Sequence, residues 1–368
     1  MTVTVPFVAI GKQYEEFREE ILQVFDAISK TGHHVLGPHL QRFEEAFAAY
    51  CGTRFAVGVG NGSDALTYSL LAHGIGAGDE VITAPNSFVA SAWTIANVDA
   101  TLVFADVGDD YNLDPEKVEA AITPKTRAIM PVHLTGQIAD MAAMEDVARR
   151  HNLILIEDSA QAVGATQNGQ KAGSFGHTGC FSLHPLKNLH VHGDGGVLTT
   201  NNEEVANKVR QLRNHGLINR DECEFWGYNS RLDEIQAAIA SIKLNHLDRL
   251  NNRHRQIAKR YGDALSGVVR VPVVRDHNQP VFHRYIIRHE SRDELARQLV
   301  ERGVETKINY PIPLHRQQAA AGLDYKEGAF PVAEQQAREI LSLPMHPYMT
   351  EDEIDHVITS IKDIATTL

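Results

Sequence analysis

Seven short apolar runs of β-strand type lie between residues 55 and 200, and helical stretches separate several of them. The runs occupy residues 55–59, 81–83, 102–105, 128–132, 153–156, 179–183 and 197–200, with a helical stretch at 140–150 among them. Alternation of this kind is typical of a mostly parallel sheet covered by helices on both faces, because parallel strands need crossover connections. The sequence therefore predicts an α/β fold with a mostly parallel, seven-stranded sheet in its large domain.

The pattern changes after about residue 245. Polar helical stretches are expected within 232–260, strands near 270–274 and 283–288, and helices near 291–302 and 331–341. Thr350 and Glu353 form a capping-box pattern ahead of a last helix with one apolar face. The sequence thus predicts a large domain of residues 1–245 and a smaller α+β domain of residues 246–368. Because no long Gly/Ser linker occurs, we expect continuous helix to join them.

Charge and composition argue against several classes of protein. The chain of 368 residues has a formal net charge of -12, which is unfavourable for binding nucleic acid. Its three cysteines lie far apart, so a reducing cytoplasm is expected. No signal peptide is expected, because residues 1–10 have no positively charged region, and no membrane anchor is expected, because no apolar run is long enough to span a membrane. None of the 19 histidines has a metal-binding spacing, so no metal is expected.

Two charged residues follow neighbouring strands. Asp158 comes just after the apolar run 153–156, and Lys187 lies between the run 179–183 and a glycine-rich turn at 193–196. An acid at the end of a central strand must be solvated, paired or used, whereas a typical lysine is a solvated surface charge. The pair suits pyridoxal 5′-phosphate (PLP), in which the lysine forms the Schiff base and the aspartate keeps the pyridine nitrogen protonated.

A phosphate site is indicated where the first strand meets a helix. Gly62, Ser63 and Asp64 open that helix directly after the run 55–59. Free backbone N–H groups and the positive end of the helix dipole favour a phosphate at this position. A plain strand-to-helix turn has the same pattern, so the motif gains its weight from neighbouring features. Ser182, at the end of another strand, can donate its hydroxyl to the same phosphate.

Phe88 and Gln161 are placed to contact a flat ring. Phe88 follows the run 81–83, at the sheet edge where open α/β folds bind ligands, although an isolated phenylalanine is more often a core residue. Gln161 lies three residues after Asp158 and can reach the phenolic oxygen of the ring. PLP with a protonated ring nitrogen is the electron sink that transamination needs, and pyridoxamine 5′-phosphate is its form between the two half-reactions.

In their order along the chain, these motifs resemble the DegT/DnrJ/EryC1/StrS family of sugar aminotransferases, a branch of the fold-type I PLP enzymes. The resemblance covers nearly the whole chain and rests on the segments 61–65, 88, 131–137, 157–162, 181–196 and 227–238. It implies that Lys187 is the Schiff-base lysine and that Asp158 pairs with the ring nitrogen. It also implies that Ser63, Asp64 and Ser182 hold the phosphate, joined by Asn229 from the other subunit of a homodimer.

The same resemblance implies roles in substrate binding. Arg231 is similar to the family's substrate-facing arginine, whose planar fork suits the carboxylate of an amino donor; the alternative is an ion pair with Asp233 or Glu234. Tyr310 and His315 lie in the run 310–317, which resembles the substrate loop of members acting at C3 of nucleotide-linked ketosugars.

Two departures from the family pattern concern the substrate. Thr135 stands where many relatives have a tyrosine, and His190 and His192 stand where relatives usually have small or apolar residues. Beside the reactive amine, the two histidines are expected to recognise an anionic group of the acceptor, such as a carboxylate. The alternative is that they are loop residues hydrogen-bonded to the backbone. An acidic acceptor such as an oxidised octulosonate therefore stays open.

The sequence predicts a homodimeric PLP-dependent aminotransferase that transfers an amino group from L-glutamate to a keto- or aldehydo-sugar. The product would serve surface polysaccharide, lipopolysaccharide or a related glycan. A PLP-dependent sugar dehydratase is the nearest rival, but family members of that type have histidine in place of Lys187. Further rivals are a PLP-binding regulator without turnover and an NAD-dependent enzyme, although no G-x-G-x-x-G motif follows the first strand.

Overall fold

Twelve strands form within residues 4–368, the part of the chain that the computed structural model describes. They are β1 (Phe55–Val59), β2 (Glu80–Thr83), β3 (Thr101–Phe104), β4 (Thr126–Met130), β5 (Ile154–Asp158), β6 (Thr166–Gln167), β7 (Gln170–Lys171), β8 (Thr178–Ser182), β9 (Gly196–Thr200), β10 (Asn278–Gln279), β11 (Tyr285–Arg288) and β12 (Ile340–Leu343). Seven strands form one sheet in the order β1-β9-β8-β5-β4-β2-β3. All its pairs are parallel except those of β9 with β1 and β8. The predicted fold class is confirmed.

Helices cover both faces of this sheet. The helices of residues 4–368 are α1 (Ile10–Thr31), α2 (Pro38–Cys51), α3 (Gly62–Ala72), α4 (Val89–Asn97), α5 (Pro115–Ala120), α6 (Met141–His151), α7 (Glu203–Leu212), α8 (Glu234–Leu244), α9 (Leu247–Leu265), α10 (Arg292–Glu301), α11 (Pro331–Glu339) and α12 (Glu351–Ala365). In β5, Leu155 packs in the cluster that contains Met141 of α6, whereas Ile156 packs with Leu66 of α3. Because successive residues of a strand face opposite sides, strands buried on both sides read as continuous apolar runs.

The C-terminal residues have a core of their own. β11 and β12 pair in antiparallel fashion, and α9, α10 and α12 pack around them. Val5 joins this core and forms a bridge with Val304, so the start of the chain contacts the C-terminal part. The domain boundary at residue 245 stays a prediction.

Two local predictions for this part are wrong. α8 ends at Leu244 and α9 begins at Leu247, so the helix expected to join the domains is broken. The segment 270–274 is not a strand, because only Arg270 forms a bridge there, with Arg288. Neither change affects the sheet.

The last helix begins as its sequence predicts. The hydroxyl of Thr350 accepts a hydrogen bond from the backbone N–H of Glu353 at 3.1 Å, and the Glu353 carboxylate accepts one from the backbone N–H of Thr350 at 2.8 Å. This reciprocal capping box satisfies two donors that the helix itself leaves free. The predicted apolar face is buried in the C-terminal core through Ile354, Val357, Ile358, Ile361 and Ile364.

No helix among residues 4–368 is long and apolar enough to cross a membrane. The same residues contain no group of three or more His, Cys, Asp and Glu side chains that could hold a metal ion. Residues 1–3 belong to the segment in which no signal peptide is expected, and they lie outside the described residues.

Candidate active site

The carboxyl ends of the parallel strands open onto a cavity of about 440 Å³. β5 ends at Asp158, which is in register with Cys180 of the neighbouring strand β8. β8 ends at Ser182, and the following loop returns Lys187 to the same cavity. Its lining includes Asn61, Gly62, Ser63, Phe88, Ser91, Asp158, Gln161, Ser182, Lys187, Asp194, Arg284 and Tyr310. The topology thus brings most of the predicted cofactor residues together.

Asp158 is a buried carboxylate with two hydrogen-bond donors. The hydroxyl of Ser91 donates to Oδ2 at 2.7 Å, and the backbone N–H of Ala160 donates to Oδ1 at 3.2 Å. Burial raises the pKa of Asp158, and these two bonds together with the charge of Lys187 act against that rise. A cationic partner stabilises the ionised form of such a group. The protonated ring nitrogen of PLP is a partner of this kind.

Lys187 has the protonation behaviour that an amine nucleophile needs. Burial lowers the pKa of Lys187 to about 8, with the carboxylate of Asp158 opposing this shift and the charge of Arg284 adding to it. An ordinary lysine amine has a pKa of about 10.4 and is almost fully protonated near neutral pH. Lys187 therefore offers a much larger fraction of free amine.

The N-terminus of α3 forms the anion-binding end of the cavity. Asn61 caps the helix by accepting a hydrogen bond from the backbone N–H of Asp64 at 2.9 Å. The N–H groups of the preceding turn have no partner within the helix, so they are available to an anion. Gly62 packs so closely on β8 that an added Cβ would lie 2.8 Å from the Cβ of Ser182. The site therefore requires glycine at this position.

Asp64 does not line the cavity, contrary to the prediction from sequence. Its carboxylate accepts hydrogen bonds from the hydroxyl of Ser230 at 2.5 Å and from the side-chain amide of Asn61 at 2.8 Å. A carboxylate would also repel a phosphate. Asp64 thus supports the capping residue, whereas Gly62, Ser63 and Ser182 face the cavity.

Phe88 and Gln161 offer a stacking face and a hydrogen-bond donor. The Phe88 side chain is 52% exposed despite its size, and its ring centroid lies 5.7 Å from that of Tyr310. The oxygen of the Gln161 amide accepts a hydrogen bond from the backbone N–H of Thr135 at 2.9 Å. Its N–H₂ group is therefore directed elsewhere and can donate to a ring oxygen. Together with the acid, amine and anion site, these groups fit PLP.

His190 and His192 do not face this cavity, contrary to the expectation that they recognise an anion there. His190 is buried, and its Nδ1–H donates to the carbonyl oxygen of Lys187 at 2.8 Å. Burial lowers the pKa of His190 to about 3, so the ring is neutral at physiological pH. His192 is exposed, with its ring 5.8 Å from that of Tyr14 and its backbone N–H bonded to the side chain of Gln236. Their contacts agree with the alternative reading, in which both histidines are loop residues hydrogen-bonded to the protein itself.

Three other predicted residues lie away from the cavity of their own chain. His315 is buried against Phe330, and its Nε2 lies 3.0 Å from Oε1 of Glu334, so this ring does not face the cavity. Asn229 is exposed, and the guanidinium of Arg231 lies 3.4 Å from the side-chain oxygen of Asn214. The ion pair of Arg231 with Asp233 or Glu234 is not formed among residues 4–368.

Ser91 and Arg284 are among the cavity residues that were not predicted from sequence. Ser91 lies one helical turn after Phe88 in α4, and its hydroxyl donates to Asp158. The sequence alone does not show this, because the contact depends on where α4 begins. Arg284 immediately precedes β11 and, together with His283, interrupts the run 281–287, which is a signal that the sequence does contain. The cavity therefore includes a cation besides Lys187.

The class of the protein follows from the sheet and from the pair of residues at its carboxyl edge. Asp158 and Lys187 belong to a fold-type I PLP-dependent aminotransferase, and the fold of a solved member is closely similar. The crystal structure of S. venezuelae DesV, determined in complex with a ketimine intermediate, matches this chain with a TM-score of 0.97 and 43% sequence identity. The match covers 99% of each chain.

Sequence comparisons give the same result. The model of the DegT/DnrJ/EryC1/StrS aminotransferase family matches residues 15–362. A pleiotropic regulatory protein of Geobacillus stearothermophilus is 44% identical over 366 residues, covering 98% of both chains. The dTDP-3-amino-3,4,6-trideoxy-alpha-D-glucose transaminase of Streptomyces venezuelae is 42% identical over 367 residues, covering 99% of this chain and 97% of the relative. The chain belongs to the DegT/DnrJ/EryC1/StrS aminotransferase family and is a PLP-dependent sugar aminotransferase.

Proposed function

We propose that this enzyme transfers an amino group from L-glutamate to the C3 ketone of a nucleotide-linked ketosugar. The observation that carries the proposal is the placement of Asp158 and Lys187 in one cavity of about 440 Å³, a volume in the usual range for a cofactor and substrate site. Support for C3 comes from the name of the S. venezuelae relative, a 3-amino-sugar transaminase. We infer that the product serves surface polysaccharide, lipopolysaccharide or a related glycan.

The chain's own residues would hold the cofactor and move protons. When bound, PLP supplies a carbonyl carbon that takes up the amino group and a ring that accepts electrons. The Asp158 carboxylate would keep the ring nitrogen protonated, and Ser91 holds that carboxylate in place. Nζ of Lys187, whose pKa burial lowers to about 8, would move a proton from the α-carbon of the donor to the cofactor and, in the second half-reaction, from the cofactor to the acceptor carbon. Phe88 would cover the ring.

The proposed acceptor is a ketosugar that needs no acidic group to contact His190 or His192. The expectation of an acidic acceptor depended on those two rings, and they lie outside the cavity. Tyr310 does line the cavity, and burial raises the pKa of Tyr310 to about 12, so its hydroxyl keeps its proton and can donate to a sugar oxygen. An oxidised octulosonate stays in the set of acceptors to be tested.

We also propose a homodimer in which the two subunits share their active sites. The loop before α8 exposes large apolar side chains, with Trp226 93% and Tyr228 44% accessible, and Asn229 follows on the same surface. Trp93 of α4 is also 47% exposed. Tryptophan and tyrosine are enriched at protein–protein interfaces relative to the rest of the surface. A second copy of the chain would cover them and bring Asn229 to the phosphate of its partner. Sedimentation of the wild type and of Trp226→Asp tests this directly, since a wild-type monomer would contradict it.

The donor and acceptor are tested by isotope transfer. The holoenzyme is incubated with ¹⁵N-labelled L-glutamate and with UDP-, dTDP- and GDP-linked 3-ketosugars or the oxidised octulosonate, and products are identified by mass spectrometry and NMR. We expect the label at C3 of a nucleotide sugar and none in the Lys187→Ala protein. Absence of label from every 3-ketosugar would refute the proposed acceptor, and label at another carbon would refute the proposed position.

A further inference from the structure

Arg284 is a buried cation that faces the active-site cavity. Only 9% of its surface is accessible, and it lines the cavity together with Lys187 and Tyr310. Its guanidinium donates one hydrogen bond to the carbonyl oxygen of His283 at 3.2 Å and lies 5.1 Å from the centre of the Phe7 ring. Neither contact supplies a negative charge.

The other buried arginines of residues 4–368 all have carboxylate partners. Arg213 pairs with Glu44, Arg288 with Asp109 and Glu339, and Arg292 with Asp293. Arg284 forms no such pair within 4.0 Å among the described residues, although Asp158 and Asp194 line the same cavity. Because guanidinium stays charged in proteins, a buried arginine without an anion is strongly unfavourable for the fold. An unpaired buried guanidinium that lines a substrate cavity is therefore a candidate for binding an anionic ligand.

We infer that Arg284 binds a substrate carboxylate through its planar fork. The five N–H donors of a guanidinium match the two oxygens of a carboxylate, and most of these donors are free in Arg284. A carboxylate there would lie in the same cavity as the reactive amine of Lys187. The carboxylate comes either from the amino donor or from an acidic acceptor sugar. The inference rests on the proposed transfer from L-glutamate only for the first of these sources.

The test compares Arg284→Leu and Arg284→Lys with the wild-type holoenzyme. Arg297→Leu, on the exposed surface of α10, is the matched control. Glutarate, a dicarboxylate without an amino group, is titrated into each holoenzyme by calorimetry. We expect glutarate affinity to fall roughly 10- to 100-fold in Arg284→Leu, because a charge-assisted pair is lost, and to fall less in Arg284→Lys. The control should bind as the wild type does.

Thermal unfolding distinguishes a binding role from a structural one. Replacing an unpaired buried charge with leucine should leave the melting temperature of the holoenzyme unchanged or raise it. A structural role would instead lower the melting temperature while glutarate affinity stayed the same, and that outcome would overturn the inference. The visible spectrum of each variant confirms that the cofactor is still bound to the lysine.

Single-turnover measurements identify the source of the carboxylate. If the donor supplies it, the reaction of Arg284→Leu with L-glutamate needs about 10- to 100-fold more glutamate for half-saturation, whereas the reaction of its pyridoxamine form with a neutral 3-ketosugar does not change. If an acidic acceptor supplies it, only the reaction with a ketosugar that carries a carboxylate is weakened. Wild-type behaviour in both steps, with unchanged glutarate affinity, would refute the inference. Failure of the wild type to react with glutamate would refute the proposed donor alone.

Discussion

Replacing Glu157 with glutamine should destabilise the fold without altering a group that touches the substrate. Glu157 is fully buried, and its carboxylate accepts hydrogen bonds from the backbone N–H groups of Gly173, Phe175 and Gly176, each at 2.8 Å. Nε2 of His133 lies 2.9 Å from Oε2 of the same carboxylate and is its fourth hydrogen-bond partner. The other ring nitrogen of His133 accepts from a backbone N–H, so Nε2 carries a proton and donates to Glu157.

The expected loss of folding free energy in Glu157→Gln follows from the number of N–H groups that the carboxylate accepts. Two donors meet each carboxylate oxygen, so a glutamine amide faces two N–H groups with its own N–H₂ whichever way it is turned. A buried donor left without an acceptor costs about 1–3 kcal/mol. Two such donors give about 2–6 kcal/mol, and we expect about 4 kcal/mol. At roughly 2 °C per kcal/mol for a chain of this size, the melting temperature should fall by about 8 °C.

Differential scanning calorimetry of the apo protein measures this shift without a contribution from cofactor binding. Glu290→Gln is the control, because Glu290 is exposed in the turn before α10 and should give a change within about 0.5 kcal/mol. A melting temperature of Glu157→Gln within about 1 °C of the wild type would show that the four donors are not held by this carboxylate, and the reasoning would fail.

Three further predictions concern the cofactor. Asp158→Asn should slow the reaction with L-glutamate by about 100-fold or more in stopped-flow absorbance, since it removes a charged partner worth roughly 3 kcal/mol; a change under threefold would contradict this. Gly62→Ala should weaken PLP affinity by about tenfold in equilibrium dialysis, because its Cβ would lie 2.8 Å from Ser182, whereas Gly11→Ala, with open space around it, should not. Because burial lowers the pKa of Lys187 to about 8, the rate of PLP uptake by the apo protein should rise with pH and level off above about 8; a rise that continues to about pH 10 would indicate an ordinary lysine.

The large sheet was predictable because its strands are buried on both faces. Leu155 and Ile156 pack on opposite sides of β5, so the strand appears in the sequence as an uninterrupted apolar run. Helix α1 gives no such signal, since Gln13, Phe17, Ile21 and Ile28 are its only buried residues among 22. The break between α8 and α9 is also hidden, because no glycine or proline marks it.

The placement of residues in the cavity was predictable where a charge stands at a strand end. Asp158 and Lys187 follow apolar strands, and such charges need a partner or a function. Arg284 obeys the same rule, but the sequence does not show that its backbone bonds to Thr135 and that it thereby reaches the cavity. The predicted position of His190 was wrong for a different reason. Adjacency to Lys187 says nothing about the direction of a ring, and this ring turns back to the backbone.

The most direct test of the proposed active site is to locate the lysine that carries PLP. The holoenzyme is reduced with sodium borohydride, digested and mapped by mass spectrometry. We expect the cofactor on Lys187. Lys243 is the sharpest alternative, because burial lowers the pKa of Lys243 to about 7, but it lies on α8 and does not line the cavity with Asp158. Cofactor found on Lys243, or on any lysine other than Lys187, would contradict the assignment of Lys187 as the lysine that binds PLP.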